Sequence, residues 1–331
     1  MNQFNQSNFH IVVTGGMGFM GSDFIRYVLD RESFTGTITN IDKLTYAANL
    51  KNLEEIEQDP RYFFYKKDVT DKGVLEQVHA LRKITHIVHF AAETHVDRSI
   101  EDPAPFIHTN IIGTVEILEF VRKNPSIRLH HISTDEVYGS LSKEEVSFEN
   151  STYYPNSPYS ASKASSDHFV RAYSKTYGIL ATTSHASNNY GPRQHPEKFI
   201  PKAIEQLMAH KKVPVYGKGE NLREWLFVED HSRAIWLILC KGIIGEVYNI
   251  AGGVEMKNID LLKMIFGVMK EQSLLKKDFP YIEFVEDRLG HDQRYALDGS
   301  KISQLGFKPL WSLKKGLTKT VLSKCFYHEV R

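Results

Sequence analysis

The 331-residue chain is long enough for one large domain or for two that share a cleft. Its 41 Lys and Arg residues balance 40 Asp and Glu residues, so the net charge predicts neither a nucleic-acid partner nor attraction to an anionic membrane. Hydrophobic residues at 41% and charged residues at 24% are typical of a globular protein, which makes a soluble enzyme the default expectation.

The N-terminal residues 1–9 are polar and lack the basic and apolar regions of a secretory signal, so we expect a short disordered extension. The longest apolar stretches, such as 234–240, are too short to span a bilayer. The two cysteines, Cys240 and Cys325, offer no disulfide framework and no metal-ligand spacing. These features favour a cytoplasmic protein without a metal site or a membrane partner.

From residue 10 onward the chain alternates predicted strands with predicted helices. Short apolar, β-branched runs indicate buried strands at 10–14, 37–42, 62–67, 86–90, 129–133 and 180–186. Helical patterns lie at 20–30, 49–58, 74–82, 106–122 and 161–177. This alternation predicts an α/β fold with a Rossmann-type, doubly wound parallel sheet. We expect that sheet domain at 10–186, with return segments near 226–250, and a smaller, proline-punctuated mixed α/β lobe at 187–331.

A glycine-rich turn links the first predicted strand to the first predicted helix. Residues 15–21 read Gly-Gly-Met-Gly-Phe-Met-Gly and satisfy the dinucleotide-binding pattern G-x-G-x-x-G in its required context. Glycines let the backbone approach a pyrophosphate, and the helix N-terminus supplies free N–H groups. Asp42, at the end of the second strand, is placed to accept hydrogen bonds from the adenosine ribose. Because a carboxylate there would repel a 2′-phosphate, the sequence favours NAD over NADP.

Other polar residues near strand ends have less specific signals. Asp68 follows the third predicted strand, where adenine would pass, but it could equally be a helix cap. Asn110 lies inside a predicted helix, where asparagine is unfavourable, so we expect it to have a structural polar role. His89, His130 and His131 flank predicted strands without carboxylate or cysteine partners at metal-ligand spacing, and we expect them to be structural.

Tyr159 and Lys163 are four residues apart and would share one face of a helix. Tyrosine normally keeps its proton up to about pH 10, which is too high for a base at neutral pH. A nearby ammonium and a positively charged nicotinamide ring would favour the phenolate. The pair is therefore predicted to remove a hydroxyl proton while hydride leaves the same carbon. The adjacent carboxylates of Asp135 and Glu136 suggest an elimination of water as well, although they could instead belong to a solvated loop.

Several motifs together resemble the extended short-chain dehydrogenase/reductase family: the glycine turn, Asp42, Asn110, Ser133-Thr134 and Tyr159-x-x-x-Lys163. A narrower similarity, to the nucleotide-sugar dehydratase branch, is carried by the segments at 92–99, 134–139, 187–192, 196–198 and 223–225. Relatives that only epimerise or decarboxylate usually carry other residues at positions 135 and 136. This pair of carboxylates therefore discriminates within the family.

The resemblance implies NAD-dependent 4,6-dehydration of dTDP-glucose, with the cofactor reduced and then reoxidised without leaving. Tyr159 would take the proton of the sugar O4 as C4 passes hydride to NAD, and Thr134 would hydrogen-bond O4. Glu136 would then remove the C5 proton, Asp135 would protonate the departing O6, and hydride would return to C6. Two like charges in a dry site cannot both ionise cheaply, so these two carboxyl groups should titrate as a coupled pair.

The resemblance also implies two sets of contact residues and an assembly. The cofactor set is Gly15, Gly18, Phe19, Met20, Gly21, Asp42, Lys43, Thr45, Asp68, Val69, Ala91, Ala92, Thr109, Ser133, Tyr159 and Lys163. The nucleotide-sugar set is Glu93, His95, Asn188, Glu197, Lys198, Phe199, Pro214, Tyr216, Arg223, Asn258, Arg288 and His291. A homodimer is expected, with the predicted helices at 106–122 and 159–177 packed across its interface.

Some positions depart from the pattern of the family, namely Ala48, Arg193-Gln194-His195, Leu289 and Gln293. They lie in or beside the nucleotide-binding segments, so UDP-glucose stays open as a substrate. An epimerase or decarboxylase of nucleotide sugars would use Tyr159, Lys163 and NAD without needing the two carboxylates. A catalytically silent sensor of NAD or of nucleotide sugars is the third reading, which the joint presence of all four groups disfavours.

Overall fold

The computed structural model describes residues 9–31, 33–275 and 282–329. The predicted N-terminal extension lies outside these residues, apart from Phe9. The strands, in chain order, are β1 (His10–Thr14), β2 (Thr37–Asp42), β3 (Tyr62–Lys66), β4 (His86–His89), β5 (Arg128–Thr134), β6 (Leu180–Ala186), β7 (Asn188–Tyr190), β8 (Val213–Tyr216), β9 (Leu222–Phe227), β10 (Val247–Ile250), β11 (Glu255–Lys257) and β12 (Ile282–Val285).

The helices surround these strands. The α-helices are α1 (Phe19–Leu29), α2 (Val74–Leu81), α3 (Val96–Glu101), α4 (Ala104–Phe106), α5 (Gly113–Lys123), α6 (Pro158–Tyr177), α7 (Phe199–Met208), α8 (Val228–Lys241), α9 (Asn258–Glu271), α10 (Ser300–Gln304) and α11 (Leu313–Glu329). Two 3₁₀ helices span Leu50–Ile56 and Asp135–Tyr138, and a π-helix spans Ile107–Ile112.

A seven-stranded sheet forms the centre of the larger part of the molecule. Its strand order is β10-β6-β5-β4-β1-β2-β3, and every neighbouring pair is parallel. The chain runs outward from β1 in one direction and from β4 in the other, so the strand order reverses between these two strands. The prediction of a doubly wound, Rossmann-type sheet is therefore confirmed, and its ligand crevice is expected at the carboxyl ends of β1 and β4.

Both faces of the sheet are covered by apolar cores. Ile11 and Val13 of β1 pack into a core with residues of α1 and α8, whereas Val12 packs into a second core with residues of α2 and α5. Successive side chains of a strand point to opposite faces, so one short apolar run contributes to both cores. This explains why the strand sequences are continuously hydrophobic rather than alternating.

The smaller lobe has its own core, built from α7, α9, α11 and two short sheets. One sheet has the order β11-β9-β7 and the other pairs β12 with β8. Between β9 and β11 in the chain, α8 packs into the core that contains β1 and α1, and β10 pairs in parallel with β6 at the edge of the central sheet. The chain therefore crosses between the two parts more than once.

Two predicted helices have a different geometry in the structure. The pattern at 49–58 forms a 3₁₀ helix at Leu50–Ile56, and the one at 106–122 contains the π-helix Ile107–Ile112 before α5 begins. The π-helix presents Asn110, which accepts from Glu93 N at 2.9 Å and donates to Ser162 Oγ at 2.8 Å. These side-chain bonds tie the segment to the chain after β4 and to α6, which periodicity alone does not reveal.

Candidate active site

A cleft opens at the carboxyl ends of the central strands and encloses about 1450 Å³, including its open mouth. Among the predicted cofactor contacts, Lys163 is buried in α6 and does not line the cleft. The others all line it: Gly15, Gly18, Phe19, Met20, Gly21, Asp42, Lys43, Thr45, Asp68, Val69, Ala91, Ala92, Thr109, Ser133 and Tyr159. The cleft also contains the predicted catalytic residues Thr134, Asp135 and Glu136.

The glycine turn between β1 and α1 is tightly packed. Gly15 has a φ of +72°, and a Cβ there would lie 2.6 Å from Ala91 N, so this position joins the ends of β1 and β4 without room for a side chain. At Gly18 a Cβ would meet only Gly15 O, at 3.3 Å. Gly18 precedes α1 without a side-chain cap, so backbone amides at the helix start stay available for an anion.

Asp42 is held by the backbone at the end of β2. Its Oδ2 accepts from Met17 N at 2.9 Å, and its Oδ1 accepts from Leu44 N at 2.8 Å. Burial raises the pKa of Asp42, although these two hydrogen bonds oppose the shift. The carboxylate is therefore fixed at the cleft wall, with lone pairs left for a ribose hydroxyl.

Lys43 brings together two other predicted cofactor contacts. Its Nζ lies 3.3 Å from Asp68 Oδ2 and donates to Thr109 Oγ1 at 3.3 Å. Asp68 Oδ1 also accepts from Thr70 N at 3.0 Å, so Asp68 orders its own loop as well as facing the cleft. Burial raises the pKa of Asp68, but the Thr70 and Lys43 contacts outweigh it and leave that pKa below its usual value.

Three observations indicate that a dinucleotide would fit in the cleft. The uncapped start of α1 faces it, Asp42 stands at the end of β2, and Gly18 leaves space where a side chain would project. In addition, three amide oxygens in the cleft wall, those of Asn188, Asn189 and Gln194, are buried without a hydrogen-bond partner among the described residues. Unpaired acceptors of this kind suit a ligand that is rich in donors.

The helix that carries Tyr159 and Lys163 starts earlier than predicted. Ser157 caps it through a reciprocal pair of hydrogen bonds with Ser160, and Pro158 occupies the first helical position, so α6 begins at Pro158 rather than at residue 161. Tyr159 and Lys163 are consequently one turn apart at the start of a rigid 20-residue helix. Lys163 Nζ donates to Ile132 O at 2.7 Å.

Both side chains are buried, and burial shifts both pKa values against the charged forms. It lowers the pKa of Lys163 to about 8, a shift that the Asp167 carboxylate opposes. It raises the pKa of Tyr159 above its usual range; the charge of Glu136 adds to this shift, and the polar side chain of Thr134 opposes it. Tyr159 therefore needs further positive charge in the cleft before it can act as a base.

Thr134 ends β5 and hydrogen-bonds to both of the residues that follow it. Its Oγ1 donates to Asp135 Oδ1 at 3.1 Å and accepts from Glu136 N at 3.3 Å. Asp135 Oδ2 is buried without a hydrogen-bond partner among the described residues. Burial, and then the charge of Glu136, raise the pKa of Asp135 well above its usual value.

The neighbouring carboxyl group has a different environment. Burial raises the pKa of Glu136, but Arg223 and Lys198 oppose the shift with their positive charge. At Asp135 the negative charges of Glu136 and Glu224 add to the effect of burial, and each outweighs the opposing positive charge of Arg223. In the coupled pair the proton therefore resides preferentially on Asp135, which can act as an acid while Glu136 acts as a base.

The predicted nucleotide-sugar contacts divide into two groups. Glu93, Asn188, Glu197 and Lys198 line the cleft. The rest lie outside its walls, and their contact with a nucleotide stays a prediction: His95, Phe199, Pro214, Tyr216, Arg223, Asn258, Arg288 and His291.

The cleft is also lined by residues that the sequence did not predict as contacts: Ile41, Ala47, Ala48, Lys67, Phe90, Thr94, Ala186, Ser187, Asn189, Gln194 and His195. Ile41, Phe90 and Ala186 lie at or just after strand ends, and this position in a doubly wound sheet was the signal that could have identified them. Lys67 likewise ends the third predicted strand, and Thr94, Ser187 and Asn189 lie in segments that carry the resemblance to the dehydratases. Ala48, Gln194 and His195 stood out only as departures from the pattern of the family, and no sequence pattern indicates Ala47.

Within the described ranges, no group of three or more His, Cys, Asp or Glu side chains could hold a metal ion. The same residues include no helix that is long and apolar enough to cross a membrane. The three histidines that were expected to be structural, His89, His130 and His131, lie within β4 and β5 and are buried. His89 contacts Thr14 Oγ1 at 2.7 Å and His130 contacts Thr182 Oγ1 at 2.8 Å, whereas His131 faces Asp167.

Comparison with known proteins gives consistent matches along the chain. Residues 12–320 match the family described as GDP-mannose 4,6 dehydratase. The dTDP-glucose 4,6-dehydratase of Haemophilus influenzae is 47% identical over 94% of this chain and 96% of its own length. The enzyme of the same name from Neisseria gonorrhoeae is 45% identical over 94% of each chain.

Solved structures of the same kind superpose closely. The dTDP-glucose 4,6-dehydratase of Bacillus anthracis, in complex with NAD, has a TM-score of 0.89 and 43% identity, covering 97% of this chain and 98% of that one. The Streptomyces venezuelae enzyme, with NAD and a TDP ligand bound, has a TM-score of 0.90 and 41% identity over the same shares. A UDP-glucose 4-epimerase of Thermotoga maritima has a TM-score of 0.86 and 28% identity, covering 98% of this chain and all of that one.

Proposed function

Because the chain belongs to the GDP-mannose 4,6-dehydratase family, we propose that it catalyses the NAD-dependent 4,6-dehydration of dTDP-glucose to dTDP-4-keto-6-deoxyglucose. The observation that carries this proposal is the placement of Asp135 and Glu136 beside Tyr159 in one cleft with the glycine turn. An epimerase needs the tyrosine and the cofactor, but it has no use for an acid and base pair that removes water.

Bound NAD would supply a hydride acceptor at the sugar C4 and later a hydride donor at C6. Gly15, Gly18 and Gly21 would hold its pyrophosphate at the start of α1, and Asp42 would hold the adenosine ribose. The other cofactor contacts proposed are Phe19, Met20, Lys43, Thr45, Asp68, Val69, Ala91, Ala92, Thr109, Ser133, Tyr159 and Lys163, nearly all of them in the cleft wall.

The first step needs a base at the sugar O4. Tyr159 would accept that proton, and the Thr134 hydroxyl, which lies near Tyr159, would orient the sugar hydroxyl between them. The raised pKa of Tyr159 disfavours its anion until positive charge enters the cleft. The ammonium form of Lys163 would supply such charge from the same helix face, and the oxidised nicotinamide ring would add to it.

The elimination needs a base at C5 and an acid at O6. Glu136 would take the C5 proton, which the neighbouring C4 ketone makes acidic. Asp135 would give its proton to O6, which leaves as water. The environments of the two carboxyl groups support this assignment. Arg223 and Lys198 oppose the effect of burial on the pKa of Glu136, whereas at Asp135 the charges of Glu136 and Glu224 each outweigh that of Arg223.

The second lobe would bind the nucleotide diphosphate. Arg223 and Arg288 suit phosphate because a guanidinium forms paired, charge-assisted hydrogen bonds with its oxygens. Further substrate contacts proposed are Glu93, His95, Asn188, Glu197, Lys198, Phe199, Pro214, Tyr216, Asn258 and His291. UDP-glucose is the second candidate substrate, because Arg193-Gln194-His195 departs from the pattern of the family and Gln194 and His195 line the cleft.

The test is to incubate the purified protein with NAD and either dTDP-glucose or UDP-glucose, and to follow the product by mass spectrometry. Loss of one water from dTDP-glucose is the expected result. Loss of water from UDP-glucose alone would transfer the proposal to the second substrate. An unchanged mass with inverted stereochemistry would replace the proposal with epimerisation, and no turnover of either sugar would favour a sensor.

We also propose a homodimer and a cytoplasmic location, as the sequence predicts. Ile107 and Ile112 of the π-helix and Phe169 of α6 are apolar and exposed, which supports an interface on this face. Ile112→Glu should shift the sedimentation of the protein toward the monomer. Ile243→Glu, at an even more exposed isoleucine elsewhere, is the control, and an unchanged dimer in both variants would contradict the proposed interface.

A further inference from the structure

A buried polar cluster lies behind Tyr159 and Lys163. We call it the Asp167 cluster, and it consists of His131, Ser133, Asp167 and His185. Ser133 Oγ donates to Asp167 Oδ2 at 2.8 Å, His185 Nε2 lies 3.0 Å from the same oxygen, and His131 Nε2 lies 3.1 Å from Oδ1. Asp167 is only 5% exposed, and both histidines are fully buried. A carboxylate at this depth stays ionised only because such partners surround it.

The pKa values indicate where the charge of the cluster resides. Burial raises the pKa of Asp167, but its contacts with His131 and His185 outweigh that effect and hold the pKa below its usual range. Burial, and then the charge of Lys163, lower the pKa of His131 to about 4, so this ring is neutral at neutral pH. The carboxylate is thus an anion that His131 does not neutralise.

Asp167 is linked to Tyr159 and Lys163 in two ways, through their spacing on α6 and through contacts with β5. Tyr159, Lys163 and Asp167 succeed each other at intervals of one turn on α6, so they share one face. Lys163 Nζ donates to Ile132 O at 2.7 Å, and the next residue of β5, Ser133, donates to Asp167. The Lys163 ammonium and the Asp167 carboxylate therefore bind to two consecutive residues of β5, Ile132 and Ser133.

The other titratable groups that face Lys163 offer it no negative charge. They are His89 on β4, His131 on β5 and Tyr159 on α6. Burial holds the pKa of His89 well below its usual value and raises the pKa of Tyr159, so both are neutral at neutral pH. Asp167 is the group whose charge favours the lysine ammonium.

We propose that Asp167 is a positioning residue, whose carboxylate keeps Lys163 in its ammonium form on the helix face of Tyr159 and fixes the Ser133 hydroxyl at the cleft wall. Asp167 does not line the cleft and acts only through these two side chains. Because Ser133 gives its proton to Asp167, its oxygen can only accept a hydrogen bond from a ligand. The inference rests on the proposed function, since it assigns Lys163 a part in that reaction.

The test compares Asp167→Asn, which removes the charge, with Asp167→Glu, which keeps it. Both are made in a Glu136→Gln background, in which reduced cofactor should accumulate, and the rate of cofactor reduction by dTDP-glucose is measured across pH. Without the carboxylate, Lys163 loses its proton at lower pH, so the alkaline limb of the profile should move down by about one pH unit in Asp167→Asn. Asp167→Glu keeps the carboxylate and should therefore leave the alkaline limb close to its position in the Glu136→Gln parent.

Ser166→Ala is the matched control, because Ser166 is a buried polar residue on the same helix that contacts His131 at 3.2 Å. It should leave the position of the alkaline limb unchanged. A rate that falls by the same factor at every pH in Asp167→Asn, with no displacement of the limb, would overturn the proposal and leave Asp167 a structural residue.

A second measurement does not depend on turnover. In cofactor-free protein labelled with carbon-13 lysine, the Lys163 signal can be assigned by its loss in Lys163→Arg, and its titration followed by NMR. The midpoint should fall in Asp167→Asn, or in Asp167→Ser if the first variant does not fold, and an unchanged midpoint would refute the inference. If the Glu136→Gln parent does not reduce cofactor with dTDP-glucose, the proposed function fails, whereas the titration still tests Asp167.

Discussion

The Arg288 guanidinium forms a two-point ion pair with the Asp97 carboxylate: Nε lies 2.5 Å from Oδ1, and Nη2 lies 2.9 Å from Oδ2. The Tyr216 hydroxyl donates to the same carboxylate at 3.3 Å, and the Arg288 guanidinium lies 5.2 Å from the centre of the Tyr216 ring. These contacts fix the plane of the guanidinium before any nucleotide binds. A preoriented donor loses less side-chain entropy when it binds phosphate.

Replacing Arg288 should therefore weaken nucleotide binding. Arg288→Gln is expected to raise the Kd for dTDP by about 10- to 100-fold, because charge-assisted hydrogen bonds contribute about 1.5–3 kcal/mol. Isothermal titration calorimetry measures this directly. Arg122→Gln is the control, because Arg122 pairs with Glu119 on an exposed face of α5. Equal affinities of wild type and Arg288→Gln would remove Arg288 from the proposed binding set.

Substitution of the two proposed proton acceptors, Tyr159 and Glu136, should block different steps of the reaction. Tyr159→Phe cannot accept the O4 proton, so it should abolish cofactor reduction itself. Glu136→Gln retains Tyr159 and should still form some reduced cofactor, while water loss falls by about 100-fold or more because general-base catalysis contributes that much. Stopped-flow absorbance of the reduced nicotinamide and product mass follow the two steps separately. Normal water loss in Glu136→Gln would show that the C5 base is another group.

Two glycines of the turn between β1 and α1 should differ in their effects, since substitution of one should lower stability and substitution of the other should weaken NAD binding. Gly15→Ala should destabilise the fold, because its φ is +72° and its Cβ would lie 2.6 Å from Ala91 N. Gly18 has a φ of −75°, which any residue can adopt, so Gly18→Val should leave the thermal midpoint of the cofactor-free protein nearly unchanged. Its side chain would occupy the cleft, and the Kd for NAD should rise at least about tenfold. Tight NAD binding by Gly18→Val would place the pyrophosphate elsewhere.

The fold was largely predictable from local pattern. The strand runs and the glycine turn carry their information within a few residues, because buried parallel strands are short and continuously apolar. The prediction of one helix at 106–122 was only partly right. The π-helix within it depends on hydrogen bonds from Asn110 to Glu93 and Ser162, which are distant in sequence. Tertiary contacts of this kind leave no periodic signal.

Part of the candidate site was out of reach for the same reason. His195 was recognised only as a departure from the family, yet in the structure it lies 3.6 Å from Glu197, and its ring centre lies 5.6 Å from that of Tyr46. This contact bridges the segment after β2 and the segment before α7 at the cleft. Asp167 was likewise not singled out, because its partners come from β5 and β6 and meet it only after folding.

A buried carboxyl group in the second lobe should make stability depend on pH. Glu224 on β9 is 4% exposed; its Oε1 accepts from Gly253 N at 2.7 Å and its Oε2 from Leu297 N at 3.3 Å. Burial raises its pKa to about 7 despite these hydrogen bonds. A carboxyl group whose pKa is higher in the folded than in the unfolded state stabilises the fold fully below its unfolded pKa, and this contribution is lost as pH rises through 7.

Glu224→Gln carries no such proton and should not lose stability in this way. Relative to wild type, its free energy of unfolding should increase by about 2–3 kcal/mol between about pH 5 and about pH 8, because each pKa unit corresponds to about 1.36 kcal/mol. Chemical denaturation of the cofactor-free proteins at a series of pH values gives this difference. Glu246→Gln, at a half-exposed carboxylate paired with Lys301, is the control and should differ from wild type by a nearly constant amount. If the difference in free energy of unfolding between Glu224→Gln and wild type were also independent of pH, Glu224 would ionise normally in the folded protein. Burial would then not be enough to keep this carboxyl group protonated.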